Sequence, residues 1–136
     1  MSILELVIYF GLSFGLLMIA MTVHEFAHGF TAYKLGDNTA KYSGRLTLNP
    51  LAHIDIMGTI IVPLLLVMAR MPPIGWAKPV PINYWALSNP KRDIVFIGAS
   101  GPLANIVLAV IISLLIKIIP LPAIIFTILI RLVLNI

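Results

Sequence analysis

The sequence predicts an α-helical integral membrane protein with about three to four transmembrane or re-entrant helices and short extended loops at the membrane surface. Of its 136 residues, 60% are hydrophobic and 10% are charged, and the mean hydropathy is +1.07. A soluble domain needs a polar shell that this composition does not supply. Long apolar stretches at 3–32, 93–119 and 121–136 are the candidate membrane segments.

The first apolar stretch, residues 3–32, is predicted to be a retained transmembrane helix. A cleavable signal peptide has basic residues before its apolar stretch, and no Lys or Arg precedes this one. Gly36, Asp37 and Asn38 form a helix-stop and turn signal, so we expect the helix to end near Leu35.

The basic residues lie in loops beside the apolar stretches rather than in one cluster. The positive-inside rule therefore places the N-terminus outside and the two basic loops in the cytoplasm. Because topology accounts for the net charge of +4, we expect no nucleic-acid partner. The cations of these loops are Lys34, Lys41, Arg45, Arg70, Lys78, Lys91 and Arg92.

A shorter apolar segment, residues 54–69, separates the basic loops. A membrane span needs about 20 residues, so this segment is marginal, and Pro63 interrupts it. A re-entrant hairpin would keep both basic loops on one side, and we expect that arrangement. Just before it, residues 42–50 are expected to be extended, with partial alternation over 43–48 indicating a short strand.

The stretch 93–119 is predicted to be a helix with a face of small residues. Gly98, Gly101 and Ala104 allow close helix approach, and we expect this face to pack against the first helix. Asn105 places an amide in hydrocarbon, where it needs a partner. That partner is either another helix or a group in a functional site.

The sequence HEFAH at 24–28 predicts a zinc site within the first helix. Histidines four residues apart fall ~40° apart around a helix, so His24 and His28 can bind one Zn²⁺ ion. Glu25 projects to the same side, where its carboxylate can take a proton from an attacking water. Ionisable groups at membrane depth are costly unless they are paired or metal-bound. The chain has no cysteine, which excludes thiolate ligands and disulfides.

Other interpretations of these residues stay open. The histidines could be hydrogen-bonded packing residues, with Glu25 paired with Lys34. The chain could also be a metal-ion transporter, although only Asn105 and the 24–28 cluster offer polar groups along a path through the bilayer. An inactive membrane scaffold that retains the histidines is a third alternative.

A Pro-rich piece over residues 72–81 is predicted to be non-helical and to lie at the membrane surface, with Trp76 and Trp85 at the interface. Peptide hydrolysis needs an extended substrate, and an edge strand near the zinc could pair with it. Pro79, Val80 and Pro81 are therefore candidate substrate-binding residues, as is Asn105. The alternative is that the loop only connects helices.

Four motifs spread over nearly the whole chain carry a family resemblance. They are HEFAHG at 24–29, GRLTLNPLAHID at 44–55, GWAKPVP at 75–81 and GPLAN at 101–105. Together they resemble the site-2 protease family of intramembrane zinc metalloproteases, in its compact prokaryotic branch without a PDZ domain. The resemblance implies one Zn²⁺ ion on His24 and His28 and Glu25 as general base. It also implies a transmembrane protein substrate, cut within the lipid bilayer near the cytoplasmic face of the cell membrane.

The chain departs from the family's pattern at the third zinc ligand. The family takes that ligand from an Asp in a later Pro-x-x-Asp-Gly-like motif, which residues 1–136 do not contain. We therefore expect 1–136 to be a single membrane-embedded metalloprotease-like domain that is incomplete at its C-terminus. His53 and Asp55 are the candidates for a substitute ligand or a supporting proton-transfer group, unless they only order their loop.

Overall fold

Two long helices dominate the computed structural model, which describes residues 3–69, 71 and 74–118. They are α1 (Ile3–Lys34) and α4 (Pro90–Ile118). The connecting region contains α2 (Thr39–Tyr42), α3 (Val62–Met68), a π-helical turn at Ile56–Ile61, and 3-10 turns at Pro50–His53 and Tyr84–Ala86. The described residues contain no strand. The helical fold is as predicted, whereas the final apolar run at 121–136 lies outside the described residues.

Helix α1 ends where the turn signal begins. Gly36 has a φ of 110°, and the N–H of Asp37 donates to the carbonyl of Ala32 at 2.9 Å. The buried Asp37 carboxylate accepts hydrogen bonds from the N–H groups of Thr39 at 2.9 Å and Asn83 at 2.6 Å. Burial alone would raise the pKa of Asp37, but these bonds outweigh it and hold that pKa below its ordinary value.

Helices α1 and α4 pack antiparallel. At one end the N–H of Ser88 donates to the carbonyl of Leu35, just beyond α1. Further along, α4 approaches α1 at Gly101, as predicted, because this residue lies directly against the imidazoles of His24 and His28. Gly98, on the same predicted face, is exposed, and an added Cβ there would meet nothing within 4 Å.

By length and hydropathy, α4 is the candidate membrane span among the described residues. Only 6% of its most apolar window is buried, whereas the core helix of a soluble protein is mostly buried. Leu103, Ile106 and Val107 each expose more than half of their surface. An outward apolar face of this kind suits contact with lipid.

The predicted strand over residues 43–48 is wrong. Helix α2 extends to Tyr42, Gly44 adopts a φ of 69°, and the chain then bends into the 3-10 turn at Pro50–His53. The Asn49 side chain caps this turn by accepting from the N–H of Leu51 at 3.1 Å. Local turn chemistry therefore outweighs the partial alternation.

The short apolar segment is helical from Ile56 to Met68, which corresponds to about 20 Å of helix, less than the ~30 Å hydrocarbon core. Pro63 interrupts no regular α-helix. It lies in the first turn of α3, directly after the π-helical turn, where a missing N–H costs little. Whether the segment re-enters the membrane stays a prediction.

Candidate metal centre

The HEFAH motif places three candidate ligands together near the C-terminal end of α1. The ligand atoms of His24, Glu25 and His28 all lie within 4.8 Å of one another, and each residue is half-buried. The two imidazole rings have centroids 4.6 Å apart and are nearly perpendicular, at 84°. The helical spacing thus produces the cluster that the sequence predicts.

The His28 ring is oriented by the backbone of α4. Its Nδ1 lies 2.6 Å from the carbonyl oxygen of Ile97. A carbonyl can only accept, so Nδ1 carries the proton and donates it. The lone pair of His28 is therefore on Nε2, as a metal ligand requires.

The other side of the cluster is formed by Gly101. A Cβ atom added there would lie 2.5 Å from Nε2 of His28 and 2.6 Å from Nε2 of His24. Both nitrogens therefore face the same small space, which a side chain at this position would fill. The His24 ring also lies against Asn105, whose Nδ2 is 3.3 Å from Nδ1 of His24.

Glu25 is held by a backbone group from a distant part of the chain. Its Oε2 accepts a hydrogen bond from the N–H of Val80 at 2.9 Å. The predicted alternative partner, Lys34, instead places its ammonium 5.4 Å from the centre of the Phe30 ring. Gly29 makes room for the contact between Glu25 and Val80, because a Cβ atom at Gly29 would lie 3.1 Å from the Val80 side chain.

Val80 belongs to an extended segment that lies along the connecting region. The N–H of Trp76 donates to the backbone carbonyl of Gly58 at 3.1 Å, and the N–H of Lys78 donates to the backbone carbonyl of His53 at 2.9 Å. The N–H of Val80 donates to Glu25 in the same way. The N–H groups of every second residue in this segment therefore point toward the rest of the protein, which is the inward edge of the segment. Pro79 and Pro81, between and after them, have no N–H to donate.

His53 and Asp55 do not join the cluster. The buried His53 places Nε2 2.9 Å from the carbonyl of Thr47, and Asp55 accepts from the N–H of Gly58 at 2.8 Å. Both side chains thus order their own loop, and neither is placed as a substitute ligand.

The residues present fit a zinc ion. Two imidazoles and one carboxylate are ligand types that catalytic zinc uses, and Gly101 leaves open the space that both Nε2 atoms face. The Glu25–Val80 contact was missed from the sequence, because the partners are 55 residues apart. The only sequence signal for it was the GWAKPVP motif at 75–81.

Bacterial proteins of similar sequence are named as metalloproteases. "Putative zinc metalloprotease YwhC" of Bacillus subtilis (strain 168) is 43% identical over 93 residues, which are 68% of this chain and 39% of that protein. "Putative zinc metalloprotease Rip2" of Mycolicibacterium smegmatis is 33% identical over 95 residues, and that of Mycobacterium tuberculosis is 29% identical over 92. Each match covers 68% of this chain, and 35% and 34% of the respective relatives.

The chain thus spans less than two-fifths of the length of these relatives. No family model matches the chain, and no solved structure matches it either.

Proposed function

This chain is related to the site-2 protease family of zinc metalloproteases, and we propose that it carries the zinc-binding motif and the general base of an enzyme that cleaves transmembrane protein segments within the lipid bilayer. The names of its relatives support a protease role, and its composition and the outward apolar face of α4 support a membrane location. The main support for the chemistry is the gathering of His24, Glu25 and His28 around one small space beside Gly101.

In this proposal His24 and His28 hold the ion through Nε2. Zinc, when bound, supplies a Lewis acid that polarises the scissile carbonyl. Glu25 acts as general base, taking a proton from the attacking water and delivering it to the leaving amine. One carboxylate oxygen accepts from Val80, which leaves the other oxygen for the water.

We place the site toward the cytoplasmic face of a multi-pass cell-membrane protein. His28 lies about 9 Å along the helix from the end of α1 at Lys34. Four basic residues lie close to this end of α1 or in the segments that follow it and precede α4. They are Lys34, Lys41, Lys91 and Arg92. By the positive-inside rule such loops face the cytoplasm.

The substrate is proposed to lie along the extended segment that contains Pro79, Val80 and Pro81. The inward N–H groups are already used, so the opposite edge is the one that can meet an unwound substrate strand. Asn105 also stays a predicted substrate contact, since its amide lies at the metal centre beside His24.

The test is cleavage of a model transmembrane substrate in liposomes with added zinc, by the chain joined to a helix that carries the family's Pro-x-x-Asp-Gly-like motif. Glu25→Gln should abolish cleavage and retain zinc, because both imidazoles remain, whereas His24→Ala or His28→Ala should lose both. Equal zinc loss in all three variants would refute the assignment of Glu25 as base. Zinc retention without cleavage by the unmodified protein would favour the inactive scaffold.

A further inference from the structure

Two polar side chains of α4 contact the candidate ligands: Ser100, whose Oγ lies 3.4 Å from Nδ1 of His28, and Asn105, which contacts His24. Nδ2 of Asn105 lies 3.3 Å from Nδ1 of His24, while its Oδ1 is buried and has no hydrogen-bond partner among the described residues. A buried acceptor without a partner is unfavourable.

The two ends of the amide can be exchanged. The oxygen and nitrogen of an Asn side chain have nearly the same shape, and their assignment follows from the hydrogen-bond network. With the amide turned over, Oδ1 occupies the place 3.3 Å from Nδ1 of His24 and accepts a hydrogen bond from it. The amino group then takes the buried position of the oxygen, so the choice between the two orientations depends on what the His24 ring requires.

The orientation of the amide decides which nitrogen of His24 carries the proton. If Nδ2 donates, Nδ1 must accept, and the proton of a neutral ring is on Nε2, which faces Gly101. If Oδ1 accepts, the proton is on Nδ1, and the Nε2 lone pair faces that space. His28 already has the second arrangement, because Ile97 offers only a carbonyl oxygen.

We propose that Asn105 is a positioning residue whose Oδ1 accepts from Nδ1 of His24 and presents Nε2 of that ring to the metal ion. This inference rests on the proposed zinc site. Helix α4 would then orient both ligands of α1, one through the backbone at Ile97 and one through the side chain at Asn105.

The first test compares zinc affinity in Asn105→Asp and Asn105→Leu by chelator competition, in a Glu25→Gln background in which no cleavage is needed. The Asp variant keeps the acceptor and cannot donate, so we expect its affinity to stay within about threefold of the parent, whereas the Leu variant should lose roughly 10- to 100-fold. Val107→Ala, on the outward face of α4, is the control. Circular dichroism checks that each variant is folded.

Equal losses in the Asp and Leu variants would overturn the proposal, because they would show that the amide donates. Unchanged affinity in the Leu variant would also overturn it.

A second test needs neither metal nor activity. ¹⁵N NMR of the metal-free protein, at a pH where the imidazoles are neutral, distinguishes the two tautomers of His24. We expect the proton on Nδ1 in the parent and a mixture in Asn105→Leu. A proton on Nε2 in the parent would refute the inference, while failure to cleave any substrate would refute only the proposed function.

Discussion

At the scale of single residues, Gly101 determines whether an ion fits between the imidazoles. Gly101→Ala would place a methyl group against Nε2 of both His24 and His28, so we expect zinc affinity to fall at least about 10-fold. Gly98→Ala, on the same helix, meets nothing within 4 Å and is the matched control. Chelator competition measures both variants, and an unchanged affinity in Gly101→Ala would contradict the placement of the ion.

Val80 is the residue that holds Glu25, the proposed general base. Val80→Pro removes the N–H that donates to Glu25, at a position between two residues that are already proline. We expect kcat to fall roughly 10- to 100-fold while bound zinc is unchanged, because the carboxylate loses its orientation. Val80→Ala keeps the N–H and should retain activity. Equal kcat in the two variants would show that the hydrogen bond is not needed.

At the scale of elements, Asp37 joins the end of α1 to the loop before α4. Its pKa is lowered in the folded protein, so its stabilisation is complete above the ordinary aspartate pKa and disappears as the pH falls through the lower, folded value. Asp37→Asn should therefore reduce the Tm at neutral pH and have little effect in strong acid. Thermal unfolding in detergent at several pH values tests this, and a difference that is constant with pH would contradict it.

The same contact bears on the path of the chain through the membrane. Because Asp37 accepts from the N–H of Asn83, the loops on either side of the Ile56–Met68 segment meet at one end of the molecule. We expect single cysteines at the exposed positions Tyr42 and Trp85 to react with an impermeant thiol reagent from the same side. The chain has no native cysteine to interfere. Reaction from opposite sides would show that the segment spans.

At the scale of the whole molecule, the described residues supply two imidazoles and one carboxylate to the site. The acids Asp37, Asp55 and Asp93 are engaged elsewhere in hydrogen bonds with backbone N–H groups. Catalytic zinc generally has three protein ligands, and Glu25 is proposed to act as the base and not as a ligand. We therefore expect the 136-residue chain alone to bind zinc weakly and to cleave no substrate.

Joining to the chain a helix that carries the family's Pro-x-x-Asp-Gly-like motif should give tighter zinc binding and cleavage of the substrate. The measurement is zinc competition together with cleavage of a model transmembrane substrate in liposomes. Chelator-sensitive cleavage by the 136-residue chain alone would contradict the expectation, and loss of that cleavage in Asp55→Ala or His53→Ala would identify the ligand.

The sequence was informative wherever the relevant residues share one helix. The spacing of His24 and His28 fixes their common face, and Gly36 stops α1 as predicted. Of the small residues of α4, Gly101 packs against α1 as expected, whereas Gly98 does not. Contacts between distant segments were not predictable, because no local pattern encodes the bond between Val80 and Glu25.

The extended segment from Trp76 to Val80 also has a consequence for self-association. Its inward edge is fully used by alternate N–H groups, and on its outward edge Pro79 and Pro81 leave carbonyl oxygens without neighbouring donors. If two copies of this edge met, carbonyl oxygens would face carbonyl oxygens at the prolines. The two copies therefore cannot form a continuous row of backbone hydrogen bonds with each other. The open outward edge is thereby protected from pairing with a second copy of itself.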